Sequence, residues 1–181
     1  MEVFGSARIE GNYRYWLTRS WFSGMGDTKP GDDIRAAGFV MLNPSTADGE
    51  TDDLTIKKCM GFARQWGCFG IYVANLFPYR ATDPSELNGL AADVLLGNDL
   101  TDFYLKSAVE LAALYRMPLI AAWGSTGSKL PDRNVRIVRL MQIAAEKGVS
   151  LECLGTTAQG DPRHPSRLPY ATERTPWTIP S

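Results

Sequence analysis

The sequence predicts an α/β fold: a three-layer α/β/α sandwich with a mainly parallel four-stranded central sheet and an N-terminal edge strand or hairpin. Three observations carry this reading. Short apolar runs of the kind found in strands buried on both faces alternate with helical patterns. Each run ends in a polar loop, at "MLNPSTAD", "VANLFPYR", "AAWGSTGS" and, after the last run, "RHPSRLPY". The 181 residues suit one domain, 1–181, with a motif-bearing core at about 36–170 and an irregular tail at 171–181.

The elements follow in order. Tyr13–Phe22, "YRYWLTRSWF", is rich in aromatic and β-forming residues and reads as a strand at the sheet edge. Gly24–Asp33 is a turn cluster that reads as a mobile loop. Phe39–Leu42 reads as the first buried parallel strand. From Thr51 to Trp66 the pattern turns helical: Thr51 or Asp52 serves as cap, Ile56, Met60 and Ala63 share a face, and Gly67 marks the stop. Phe69–Phe77 is the second buried strand. Residues 83–116 are helical, with a break near Gly97 and Asn98. Met117–Gly124 is the third strand. Pro131–Gly148 is a helix, with Val135, Val138, Met141 and Ile143 as apolar contacts. Val149–Gly155 is the last strand, and the Pro- and Thr-rich stretch after Tyr170 reads as irregular.

Composition narrows the class. No apolar run approaches the roughly 20 residues that span a bilayer, and the first residues lack the basic-then-apolar order of a secretory signal. The three cysteines, Cys59, Cys68 and Cys153, form no C-x-x-C pair, so nothing points to a metal or iron–sulfur site, and a reduced, cytoplasmic setting is expected. Charge is uneven. Residues 1–115 hold 10 basic against 15 acidic side chains, and residues 116–181 hold 9 against 5. This is either scatter or a basic face near the C-terminal motif that suits phosphates.

In an open parallel sheet, ligands bind beyond the carboxyl ends of the strands, where all four polar strings fall. His164 is the only histidine, so any imidazole chemistry belongs to it. A neutral imidazole there can donate a hydrogen bond to a developing oxyanion; the alternative is a surface loop histidine. Asn43 with Pro44 and Ser45 either holds a water or substrate hydroxyl, or simply makes an Asn-Pro turn. Of Asp48, Asp52 and Asp53, one can serve as general base or metal ligand, while Asp52 and Asp53 also suit helix capping. Asn75 ends a strand, where its amide reads a nucleobase edge or bonds neighbouring backbone. Phe77 and Tyr79 offer a stacking surface or pack, and Arg80 a phosphate contact. Gly124 and Gly127, with Ser125, Thr126 and Ser128, permit close backbone approach to a ligand. This string is neither a phosphate-binding P-loop nor a serine-hydrolase elbow.

Taken together, "LNPS", Asn75 in "VANL", Trp123–Ser125 in "AAWGS" and "HPSRL" with Leu168 resemble, in order and rough spacing, the motifs of the uracil-DNA glycosylase superfamily. The chain also resembles a bacterial and phage domain family of unknown function, which carries the Asn-Pro-Ser, Asn-Leu-Phe and Trp-Gly strings. The first resemblance implies a base-excising N-glycosylase on DNA or nucleotides with an unusual base, the target being flipped into the cleft. It implies that Asn43, with Asp48, holds the attacking water and that His164 stabilises the leaving base. Asn75 would read the base in a pocket formed with Pro44, Ser45, Phe77, Tyr79, Gly124 and Ser125. Arg80, Arg163, Ser166 and Arg167 would bind phosphates, and Leu168 would fill the vacated stack. No metal, cofactor, membrane or obligate protein partner is implied; the expected partner is DNA or a nucleotide. Two departures stand out: Asn43 replaces the activating aspartate of the most active members, and Arg167 replaces a proline. The rival readings are a non-catalytic module that recognises a modified base or nucleotide, and a small-substrate hydrolase using Ser45 or Ser125 with His164.

Overall fold

A computed structural model describes residues 2–21 and 35–180; the turn cluster Gly24–Asp33 lies outside them. The chain builds one seven-stranded sheet in the order β1-β2-β4-β3-β5-β6-β7. The strands are β1 (Phe4–Glu10), β2 (Tyr13–Ser20), β3 (Ala36–Met41), β4 (Gly70–Asn75), β5 (Leu119–Ala121), β6 (Glu152–Cys153) and β7 (Thr175–Pro176). This corrects the expectation of a mainly parallel four-stranded sheet. Three of the six pairings are parallel, β4–β3, β3–β5 and β5–β6. The other three, β1–β2, β2–β4 and β6–β7, are antiparallel. The strands missed from sequence are the outermost ones. In β1 Phe4 is exposed and polar residues break the apolar signal, while β7 is two residues of a Pro-rich tail.

The inner strands are apolar throughout because alternate residues feed two cores. From β3, Ala37, Phe39 and Met41 enter a cluster with Ile56, Cys59, Phe62 and Ala63 of helix α1 (Leu54–Gln65). From the opposite face, Val40 and Leu42 join Leu105, Ala108 and Val109 of α3 (Leu100–Tyr115) and Ile137, Leu140 and Ile143 of α4 (Arg133–Glu146). A short α2 (Ala92–Leu96) precedes α3, separated from it by Gly97, which has φ +66°.

Local chemistry sets the helix bounds. Asp53, not Thr51 or Asp52, caps α1: its Oδ1 accepts the Ile56 N–H at 2.8 Å. Asp52 instead meets Arg19 of β2 at 2.7 Å. On α4 the core face is Ile137, Leu140, Ile143 and Ala144, so Val135 and Val138, expected as core contacts, sit outside at 66% and 43% exposure. The tail is anchored: Trp177 is buried, donates from Nε1 to the Gly160 carbonyl and packs edge-on against Trp123. Among the described residues no helix is long and apolar enough to cross a membrane.

One irregularity in β2 matters for function. The β1–β2 register runs Ala7↔Leu17 and Arg8↔Trp16, then jumps to Ile9↔Arg14. Tyr15 is therefore an extra residue, a β-bulge, and the strand's alternation is reset across it. Trp16 and Tyr15 both stack on Tyr104 of α3. Arg14 turns to the opposite face, which Leu17 and Arg19 also occupy.

Candidate active site

The strand order sets where a cleft opens. From β3 the chain passes through α1 to β4 on one side. It then returns through α3 to β5 on the other side of β3 and continues through α4 to β6. Winding reverses between β3 and β5, so the connections leaving those two strands diverge and leave a crevice at their carboxyl ends. A cavity of about 580 Å³ lies there. Met41, Leu42 and Asn43 line it from β3, and Trp123, Gly124, Ser125 and Thr126 line it from beyond β5. Opposite them stand Arg163, His164, Ser166, Arg167 and Leu168. Ser45, Asp53 and Arg14 add polar groups to the wall, with Thr55, Thr82 and Thr157.

Two sets of bonds hold these loops. The 45–52 segment is pinned by arginines that donate to its carbonyls. Arg14 reaches Ala47 at 2.7 Å, Arg19 reaches Asp48 at 2.6 Å, and Arg80 reaches Thr46 at 3.1 Å. The loop that carries His164 is tied to the end of β5. The Gly124 N–H donates to the Pro162 carbonyl, and buried Arg133 bridges the Gly124 carbonyl at 3.0 Å and Asp161 at 2.7 Å. Gly124 has φ +67°, and a Cβ there would lie 3.4 Å from Cβ of His164. Here glycine is favoured by the left-handed backbone, and the histidine packs against it at ordinary contact distance.

His164 caps the short 3-10 turn Pro165–Arg167. Its Nδ1 accepts the Ser166 N–H and is 3.0 Å from the Ser166 hydroxyl. A backbone N–H can only donate, so Nδ1 carries no proton and the neutral ring bears its hydrogen on Nε2. Burial pushes the imidazole pKa below its ordinary value, against a smaller upward pull from the Asp53 carboxylate. The result is a neutral donor beside a carboxylate. Asn43 is held by both amide hydrogens, which donate to Pro44 and Ala81 carbonyls, leaving Oδ1 as a fixed acceptor. One Asp53 oxygen caps α1, and the carboxylate faces the same cavity as His164.

Of the candidates drawn from sequence, Asn43, Ser45, Gly124, Ser125, Arg163, His164, Ser166, Arg167 and Leu168 share this cavity. Arg163 and Arg167 are exposed, whereas Leu168 is 3% exposed and packs against the α1-side core. Neither Ser45 nor Ser125 bonds His164, whose Nδ1 is engaged by Ser166. Six candidates lie outside the lining. Pro44 is buried, its carbonyl taking the Ala81 N–H. Asp48 folds back on its own loop, where the Thr51 and Glu50 N–H groups hold its pKa below the ordinary carboxylate value. Phe77 is core, with the Arg136 guanidinium 5.9 Å from its ring centroid. Tyr79 packs edge-on to Tyr13, and Arg80 is spent on loop carbonyls. Asn75 is 3% exposed with both amide atoms unpartnered; it pairs in register with Met41, which does line the cavity. Sequence reasoning missed Arg14 as a wall residue; of the three aspartates it offered as general base, Asp53 is the one that lines the cavity.

Residues 14–166 match the model of a family described as "Protein of unknown function (DUF1643)". The chain belongs to that family. The match begins at Arg14 and ends at Ser166, so it spans both sides of the cleft. No curated protein and no solved structure matches the chain significantly.

Proposed function

We propose that the cleft is the active site of a base-excising N-glycosylase, acting on DNA or on nucleotides that carry an unusual base. The observation that carries this reading is the gathering of Asn43, Asp53 and His164 around one cavity at the sheet's winding reversal. Hydrolysis of an N-glycosidic bond needs a water held and deprotonated on one side of the sugar. It also needs a donor for the charge that develops on the departing base. In this reading the Asn43 Oδ1 accepts from the attacking water and Asp53 takes its proton. The water oxygen bonds to the sugar carbon as the bond to the base nitrogen breaks, and its electron pair leaves with the base. Nε2–H of His164 donates to the base's developing oxyanion. A neutral imidazole suits this role because it stabilises the charge without having to give up a proton. In this reading Arg163 and Arg167, exposed side chains of the cavity lining, take the phosphate backbone. Asn75, expected to read the base edge, lies outside the cavity lining, so this reading gives it no contact with the base. The motif resemblance to the uracil-DNA glycosylase superfamily supports the same assignment.

The test is a screen of the purified protein against DNA carrying uracil, deaminated purines and modified pyrimidines, scored for abasic sites. Abasic sites at one class of base are expected, with binding that weakens as salt rises. A second reading, a non-catalytic module that recognises a modified base or nucleotide, is favoured by one observation: the first-motif residue is an asparagine, and the nearby Asp48 carboxylate is spent on its own loop. Salt-sensitive binding with no abasic sites on any substrate would select it.

A further inference from the structure

We infer that the wall of the cleft carries an oxyanion subsite at Arg14, which takes a phosphate or carboxylate of the ligand on the Nε–Nη2 edge of the guanidinium. The inference rests on the cleft being a ligand site, not on the reaction proposed for it.

The first support is how the residue arrives there. Regular alternation from Leu17 would put Arg14 on the other face of the sheet; the bulge at Tyr15 turns it into the cavity wall. Bulges recur beside functional sites because they re-aim one side chain. The second support is what the guanidinium leaves free. Arg14 is only 2% exposed, yet among the described residues it makes no ion pair. Nη1 donates to the Ala47 carbonyl. Nε is buried with no partner, and Nη2 has none among the described residues. The Nε–H and the Nη2–H beside it form one edge of the planar group, opposite Nη1. That edge is the two-pronged fork that matches two oxygens of a phosphate or carboxylate.

The third support is that the nearby acids are committed. Asp52 is bonded to Arg19, Asp48 to the Glu50 and Thr51 N–H groups, and one Asp53 oxygen to the Ile56 N–H. Desolvation, with repulsion from Arg80 and Arg19, outweighs the attraction of Asp53 and Asp48 and brings the Arg14 pKa down to about 10, so the group is still cationic at neutral pH. A buried cation whose Nε–H has no partner is unfavourable for the fold by itself. An oxyanion of the ligand satisfies both donors and the charge together.

The test is calorimetric titration of the full chain with matched pairs. Thymidine 5′-monophosphate against thymidine tests a phosphate source, orotate against uracil tests a carboxylate on the base, and inorganic phosphate is titrated alone. In at least one pair the anionic member should bind about ten-fold or more tightly, the worth of one charge-assisted contact. That preference should fall to near parity in Arg14→Gln. It should also fall in Arg14→Lys, which keeps the charge but loses the fork. Parity in both wild-type pairs overturns the inference. So does a preference that survives in folded Arg14→Gln but is lost in Arg163→Ala or Arg167→Ala. If Arg14→Gln does not fold, the ¹⁵N–¹H signal of Arg14 Nε in the wild-type chain decides: it should shift on adding the preferred anion, and an unmoved signal overturns the proposal. Arg14-dependent anion binding without base release would sink the glycosylase reading alone. Base release without that dependence would sink this subsite alone.

Discussion

Replacing Arg133 by methionine removes the guanidinium that ties the end of β5 to the loop carrying His164. Arg133 is 4% exposed, and one nitrogen, Nη2, serves both the Gly124 carbonyl and the Asp161 carboxylate. Methionine refills most of the volume but leaves a half-buried carboxylate and a buried carbonyl without a donor. Breaking a buried ion pair from one side costs about 3–5 kcal/mol. The Asp161 side chain retains 17% exposure, so water recovers part of this, and the expected loss is about 3 kcal/mol. A domain stable by about 5–15 kcal/mol survives that loss. With a urea slope of about 2 kcal/mol/M, the unfolding midpoint should fall by about 1.5 M. Tryptophan fluorescence reports it, since Trp123 and Trp177 pack against each other in this region. Adding Asp161→Asn to Arg133→Met should lower the midpoint little further, because the pair is already broken. A fall below about 0.3 M for Arg133→Met, at about the same slope, would refute the idea that this arginine fastens the His164 loop.

Other outcomes follow from the same geometry. His164 is the only histidine, and its folded pKa lies below the ordinary 6.5, so the unfolded chain binds a proton that the folded chain refuses. Stability should therefore fall as pH drops from about 6.5 through the folded value, and His164→Gln should flatten that part of the curve in urea titrations from pH 7.5 to 5; matching slopes would contradict it. Gly124→Ala should cost about 1–2 kcal/mol from the left-handed backbone; thermal unfolding checks it, and an unchanged midpoint would contradict it. Asp53→Asn should slow base release about 100-fold or more, whereas Asp48→Asn should leave the rate close to the parent's, because only Asp53 faces the cavity.

The parts of this molecule that could be read in its sequence are those with strong local signals. The buried strands around Phe39, Val73 and Ile120 are continuous apolar runs, and three of the four polar strings line one cleft, "VANLFPYR" being the exception. The Ile56, Met60 and Ala63 face of α1 also followed from periodicity. What escaped depends on contacts between distant segments. β1 and β7 exist because β2 and β6 offer them an edge to pair with, not because "FGSARIE" or "TP" favours a strand. Three aspartates lie between residues 48 and 53, and no local rule separates them. Arg19 takes Asp52, the 48–51 turn takes Asp48, and Asp53 is left to cap α1 and face the cleft. Arg14 was invisible for a sharper reason: a period-2 reading of "YRYWLTRS" places it on the wrong face unless the bulge at Tyr15 is known.

In the proposed reaction His164, Asp53 and Asn43 act together on the bond between a base and its sugar. The most direct measurement is single-turnover release of free base, resolved by chromatography, from DNA carrying whichever base the screen selects. The wild-type chain should release base in step with abasic sites, and His164→Gln and Asp53→Asn should each lose about 100-fold or more while keeping the parent's fold. Release at the parental rate from both variants, or no free base from any substrate, would contradict the account.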